Sequence, residues 1–322
     1  MKTICIFDTS IATRNPGDQM IMDSVQKIIG SLFRDGLQVR VGTHEPLQRP
    51  SRYLIKHSDI KIIGGTNLLS SDMLFHNQWK VSLLDAPFLS DTILLGVGWW
   101  QYQRKPNLYT KILLNHILSK RFIHSVRDGY TKKMLNSIGI KNVINTSCPT
   151  MWGLTKEHCR RIPSRKSEKV LFTLTSYRPD KNQDIKLIKQ LLESYKNVFF
   201  WPQGQIDYSY FREINKFGDR INLLSPSIFQ LDSFLKRNAT DYVGTRLHAG
   251  IKALTFAKRS LIVGIDNRSL EIAKDTNLTV IKRQNIDGIK KWIYASENTD
   301  INLPLDAIQK WKNQFHEPSD GV

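Results

Sequence analysis

The sequence is poor in the residues that would announce a simple answer. It has only three cysteines, Cys5, Cys148 and Cys159, in 322 residues. They form no CxxC pair, which excludes a dense disulfide framework and a structural zinc site of cysteine type. No apolar run reaches the ~20 residues that a helix needs to span a bilayer; "TILLGVGWW" is among the longest. Asp8 interrupts the opening "MKTICIFDTS", so this stretch reads as a first strand rather than a secretory leader. A cytoplasmic location is the expectation. H-E-x-x-H, aspartate-rich metal loops and the G-x-S-x-G elbow are missing, as are complete GxGxxG and GxxxxGK[ST] loops. Zinc-finger spacing and RNP-like aromatic motifs are also lacking, which argues against a nucleic-acid partner.

Acidic residues are scarce as well. Lys and Arg number 47 against 29 Asp and Glu, a net charge of +18. Such an excess favours anionic partners, whether phosphate esters, acidic glycans or an anionic membrane surface, without choosing among them.

What is present is an alternation. Apolar segments such as Thr3–Phe7, "DIKIIGG", "DTILLGVG" and "RFIHSVRD" alternate with helical patterns, for example Asp18–Gly30 with Ile21, Val25 and Ile28 in phase. A polar, basic stretch between about 155 and 169 interrupts this order, which then resumes with "VLFTLTSY", "NVFFWPQG", Asp241–Val243 and "SLIVGID". The expectation is an α/β protein of two Rossmann-like domains with mainly parallel sheets, residues 1–160 and 161–322. The last helical stretch, around 305–315, is free to pack on either domain. Ligands of such folds bind beyond the carboxyl ends of strands, so an interdomain cleft is the expected site.

The richest local signal is "DYVGTRLHAGIKAL", from Asp241 to Leu254. Gly244 permits a tight exit from a strand, and Leu247, Ile251 and Leu254 recur at helical spacing. Arg246 and His248 then fall in the first turn, where unpaired N–H groups and the helix dipole favour an anion. Arg246 adds a fork of donors for phosphate or carboxylate, and His248 is suited to moving a proton. The competing reading makes Arg246 a solvent-facing side chain and His248 a local cap.

Other turns offer contacts of the same kind. In "NPGD", Asn15 and Gly17 suit a ligand's close approach and Asp18 suits orientation or capping. Gly64 and Gly65 in "GGTN" read either as an ordinary turn or as exposed N–H donors. Arg127, beside Asp128, reads as a second anion anchor or as half of a structural ion pair. Gln203 ends a later strand. Trp201 suits sugar stacking or the core, and Trp99–Trp100 carry the same ambiguity. Cys148 has no base near it in sequence to make it a nucleophile.

With Asn15-Pro-Gly-Asp18, Gly64-Gly65, Arg127-Asp128 and Gly244-Thr-Arg246-Leu-His248 in this order, the chain resembles the polysaccharide pyruvyltransferase family over about residues 3 to 270. The resemblance implies two Rossmann-like domains in a GT-B-like arrangement. It also implies transfer of a pyruvyl group from phosphoenolpyruvate to a sugar, free or carried on a lipid, with a pyruvate ketal as the usual product. Arg246 and His248 are the site residues it carries over most directly, with Asn15, Gly17 and Asp18 matching its N-terminal motif. Such a transfer needs no redox cofactor, and the histidines show no zinc spacing that would lead one to expect a metal. The sequence departs from the family in "IVGIDNRSLEIAK", which lacks a tyrosine-to-lysine pattern, and in having GGTN where a GGG form occurs. These departures leave open a glycosyltransferase-like enzyme that uses an activated sugar. The charge leaves open a noncatalytic binder of glycans or anionic surfaces, and a role in polysaccharide assembly would place the chain at the inner face of the cell membrane.

Overall fold

The computed structural model describes residues 1–316, which form two compact units. Unit 1 holds residues 1–13, 18–152 and 303–316; unit 2 holds residues 14–17 and 153–302.

In unit 1, strands β1 (Thr3–Asp8), β2 (Leu37–Gly42), β3 (Ile60–Gly64) and β4 (Thr92–Leu95) pair in parallel in the order β2-β1-β3-β4. A parallel pair, β5 (His124–Val126) and β6 (Val143–Asn145), adjoins them. Backbone bonds from Gly96 N to Ser125 O (3.0 Å) and from Arg127 N to Val97 O (3.1 Å) join it to the end of β4. The strand order reverses between β1 and β3, the switch point of an open α/β sheet.

Both faces of this sheet are covered, which is why β1 is apolar at every position from Ile4 to Phe7. Helix α1 (Pro16–Leu32) lays Ile21, Met22, Val25 and Ile29 on Ile4, Ile6, Ile62 and Leu95. On the other face, Cys5, Phe7, Ile63 and Leu94 meet α2 (Arg49–Lys56), α3 (Ala86–Leu89), α4 (Leu108–Ile117) and α5 (Gly129–Ser137) through Ile55, Leu89, Leu113 and Leu135. Each such side chain contributes about 1.5–3 kcal/mol by leaving water. The C-terminal helix, Leu305–Asn313, belongs to this unit. Its Trp311 enters the cluster around Ile4 and Ile6, and Ile123 N donates to Gln314 Oε1 at 2.6 Å.

Unit 2 opens with α6 (Lys156–Arg160) and continues through β7 (Lys169–Thr173), α7 (Lys181–Ser194), β8 (Asn197–Phe200), α8 (Gln205–Ile214), β9 (Ile221–Leu223) and α9 (Ile228–Arg237). There follow β10 (Asp241–Gly244), α10 (Leu247–Thr255), β11 (Ser260–Gly264), α11 (Asn267–Thr276), β12 (Val280–Lys282) and α12 (Ile289–Tyr294). The six strands are parallel in the order β12-β11-β10-β7-β8-β9. Counted within the unit this is 6-5-4-1-2-3, the order of dinucleotide-binding sheets, and its switch point lies between β7 and β10. The core stacks Phe172, Phe200 and Phe211, with Val243 and Val263, against Leu187, Ile188 and Ile289.

The chain passes from unit 1 to unit 2 at Trp152–Gly153, not near residue 160 as its polarity suggested. The basic residues of that stretch, Lys156, Arg160 and Arg161, face solvent, while Leu154, Cys159 and Ile162 are buried and His158 Nε2 donates to Leu254 O at 2.7 Å. A folded segment with a charged outer face thus reads as a linker. Among the described residues, no helix is long and apolar enough to cross a membrane.

Candidate functional site

In unit 2 the polar side chains gather at the carboxyl ends of β7 and β10. Gly244 is there because nothing larger fits: a Cβ would lie 2.3 Å from Thr173 Oγ1 and 2.7 Å from Thr173 N. Glycine here lets the two strand ends come together. Tyr242 Oη donates to Arg246 O at 2.7 Å, and Arg246 N donates to Thr173 Oγ1 at 3.2 Å, so the backbone entering α10 is tied to β7.

Arg246 is the N-cap residue of α10, with extended backbone. Its guanidinium is held by a carboxylate. Nε reaches Asp207 Oδ2 at 3.0 Å, and Nη2 reaches both carboxylate oxygens at 2.5 Å. Asp207 lies in the first turn of α8, with a side chain 1% exposed. It also accepts from Ser176 N (3.0 Å) and Ser176 Oγ (2.8 Å). A planar fork held by two carboxylate oxygens is fixed in orientation as well as in place. Tyr177 lies 5.2 Å from the Arg246 guanidinium and 5.9 Å from that of Arg268, a cation–π pair of contacts. Arg268 is held in turn by Asp266, the N-cap of α11. His248 follows in the first turn of α10 and is buried.

Three more expected residues meet within unit 2. Gln203 Nε2 donates to Asn15 Oδ1, which also accepts from Gly17 N at 3.1 Å. A Cβ on Gly17 would sit 3.1 Å from both of those side chains, so glycine keeps the turn closed. Gln203 Oε1 is buried without a hydrogen-bond partner among the described residues.

Unit 1 has its own cluster at the switch point between β1 and β3. Asp18, in the first turn of α1, is buried and accepts from Thr13 Oγ1 (2.9 Å) and Thr66 Oγ1 (3.1 Å). His44 Nε2 stands 4.0 Å from its Oδ2, and His44 Nδ1 lies 3.1 Å from Gln78 O. Gly64 and Gly65, read as an ordinary turn or as N–H donors, have a packing duty. Gly65 N is committed to Leu95 O at 2.8 Å, and a Cβ on either glycine would strike α1, at Val25 (2.6 Å) or Ile21 (2.1 Å). Gly65 also takes φ +64°, a backbone state that costs glycine little.

Arg127 follows β5 with its side chain 1% exposed. Nε donates to Asp128 Oδ2 at 3.2 Å, while Asp128 Oδ1 caps α5 by accepting from Thr131 N and Oγ1, both at 2.7 Å. Nη1 and Nη2 are buried and have no partner among the described residues. Burying charged donors unpaired costs several kcal/mol, and such groups mark sites where function outweighs stability. The guanidinium lies flat on Gly98, where a Cβ would come within 2.3 Å of Cζ.

The aromatic and thiol candidates resolve simply. Trp201 and Trp99 are fully buried core residues. Cys148 is buried, and burial pushes its thiol up, which makes it a poor nucleophile. Among the described residues, no group of three His, Cys, Asp or Glu side chains could hold a metal ion.

Sequence reasoning missed Asp207, Gly98 and His44. Asp207 carried one usable signal: it stands in the first turn of the helix after β8, as Arg246 stands before the helix after β10.

Two parallel-sheet α/β units, each with charged side chains at its switch point, define an α/β protein of the GT-B fold class. Solved structures agree on the fold. The UDP-GlcNAc 2-epimerase of Methanocaldococcus jannaschii, solved with UDP-GlcNAc and UDP, is similar at TM-score 0.57 and 11% identity over 98% of each chain. The MnaA protein of S. aureus, solved with UDP, is similar at TM-score 0.56 and 14% identity, covering 93% of this chain and 92% of its own. No curated protein matches the chain in sequence. The sequence model of the polysaccharide pyruvyl transferase family matches residues 15–267, most of the chain, and the protein belongs to that family. It is accordingly a transferase, with a sugar or polysaccharide acceptor.

Proposed function

We propose that the protein transfers the pyruvyl group of phosphoenolpyruvate to a sugar of a surface polysaccharide or its lipid-linked precursor, forming a pyruvate ketal on the cytoplasmic side of the membrane. The observation that carries this reading is the pairing of Arg246 and His248 at the N-terminus of α10, on the switch point of unit 2. An anion at that point gains from the helix dipole and from a guanidinium already oriented by Asp207. His248 stands in the first turn of the same helix.

In this mechanism Arg246 and the α10 N-terminus hold the donor's anionic groups. His248 delivers a proton to C3 of the enol, and positive charge develops at C2. A sugar hydroxyl attacks C2 and gives up its proton, leaving a phosphoryl hemiketal. Cleavage of the C2–O bond releases phosphate, and a second hydroxyl of the same sugar closes the ketal and loses its proton. One molecule of phosphoenolpyruvate and one diol thus yield one ketal and one phosphate, with no change of oxidation state overall. Within unit 1 by itself, the Arg127 guanidinium keeps two donors for an anionic group. Asp18, fixed by Thr13 and Thr66 in that same unit, is suited to orienting a hydroxyl. Positioning and charge matching supply most of the rate.

The test is incubation with phosphoenolpyruvate and a panel of nucleotide-linked and lipid-linked sugars. Phosphate release should be matched by acceptor mass gain of one pyruvyl group. Protection by nucleotide sugars with no turnover of phosphoenolpyruvate would reject it and favour a glycosyltransferase.

A further inference from the structure

We infer that one surface of unit 1, built from residues 72–80 and 102–112, docks on an anionic lipid bilayer. Phe75 (76% exposed), Leu108 (70%), Tyr102 (56%) and Leu74 (51%) are four large apolar side chains on this surface. They are not scattered on loose loops. Ser71 Oγ donates to Arg104 O (2.6 Å), Asn107 N to Ser71 O (2.9 Å) and Met73 N to Thr110 Oγ1 (2.8 Å), which ties the 71–75 turn to the start of α4. Met73, Leu113 and Leu114 pack beneath in the core. Gln103 anchors the other end, receiving Trp99 Nε1 at 2.9 Å on its side chain and bonding through its own N to Tyr130 Oη at 2.7 Å.

Charge picks the partner. The same two segments expose Lys80, Arg104, Lys105 and Lys111 and contain one acid, Asp72. The Asp72 carboxylate is occupied locally, its Oδ1 accepting from Leu74 N (3.2 Å) and Phe75 N (3.3 Å). Apolar tips bordered by cations suit a bilayer, where the tips enter the acyl boundary and the cations meet lipid phosphates. A second copy of the chain fits less well, because pairing two such faces would bring like charges together. The inference goes beyond the proposed reaction by saying how a lipid-linked acceptor is met, and it does not require phosphoenolpyruvate to be the donor.

The experiment is flotation of the full chain with phosphatidylcholine vesicles, with and without phosphatidylglycerol. The wild type should bind the anionic vesicles and not the neutral ones. Phe75→Ser with Leu108→Ser should weaken that binding by about tenfold or more, and Arg104→Ser with Lys105→Ser by a similar factor. Thermal melting of both double variants should match the wild type, since all four side chains are exposed. Equal flotation of wild type and the apolar variant, or no flotation of the wild type, overturns the inference. So does a concentration-dependent dimer that the apolar variant abolishes, which would assign the surface to a second copy. Turnover of a water-soluble acceptor is read separately. Flotation without turnover defeats the proposed reaction alone, and turnover without flotation defeats the docking surface alone.

Discussion

Replacing Gly98 by alanine asks one methyl group to displace the Arg127 guanidinium. The added carbon would stand 2.3 Å from Cζ and from Nη2, and 2.7 Å from Nη1, against an ordinary contact of 3.4–4 Å. The backbone cannot yield easily, because Gly98 N donates to Thr66 O at 2.8 Å and Gly98 O accepts from Leu69 N at 3.3 Å. The arginine must therefore move by roughly 1 Å, and a displacement of that size costs on the order of 100-fold in rate when the group positions a substrate. Overpacking itself should cost only about 1–3 kcal/mol of stability. The expected result is a folded protein whose kcat/KM falls by about two orders of magnitude, measured by continuous phosphate release beside thermal melting. Arg127→Gln should reproduce the loss without the overpacking. A Gly98→Ala protein with wild-type kcat/KM would refute the idea that Arg127 grips a substrate.

Asp207→Asn should raise KM for the donor and lower kcat together, since Arg246 loses the charge that orients its fork, and should cost about 3 kcal/mol of stability. Arg246→Lys should not restore activity, because an ammonium lacks the planar pair of donors; steady-state kinetics on both variants decides this. His124, buried with Nε2 donating to Ser119 O (2.8 Å) and Nδ1 accepting from Leu94 N (3.3 Å), is held by burial at about 4, below the ordinary 6.5. The unfolded chain therefore binds a proton that the fold refuses, and stability should fall as pH drops from 6.5 towards 4, by about 3 kcal/mol from this group. A denaturation series in which His124→Gln loses none of that slope would contradict the assignment.

How much of this was legible beforehand depended on burial. Strands β1, β3, β4, β7, β10 and β11 are covered on both faces, so they stand out as apolar runs. Strand β2 is an edge: Leu37, Gln38 and Arg40 are exposed, and only Val41 and Gly42 at its end are buried, so no apolar run marks it. Asn107 and Asp266 cap α4 and α11 by bonding the next turn, a signal that apolar periodicity alone does not use. Arg246 and His248 were legible because a strand, a glycine and a helix follow one another in the chain. The Asp207 carboxylate and the Gly98 contact were not, since each meets its arginine only through the sheet, 39 and 29 residues away in sequence. Gly64, Gly65 and Gly244 carry a packing duty that the sequence does not display: they admit Val25, Ile21 and Thr173.

The central claim is that His248, at the start of α10, hands a proton to the enol carbon of an anion gripped by Arg246. It is tested most directly by running the reaction in deuterium oxide and reading the product's methyl group by mass spectrometry. One deuterium per transferred group, with turnover lost in a folded His248→Ala protein, is the predicted result. Undiminished deuterium transfer by His248→Ala would contradict it.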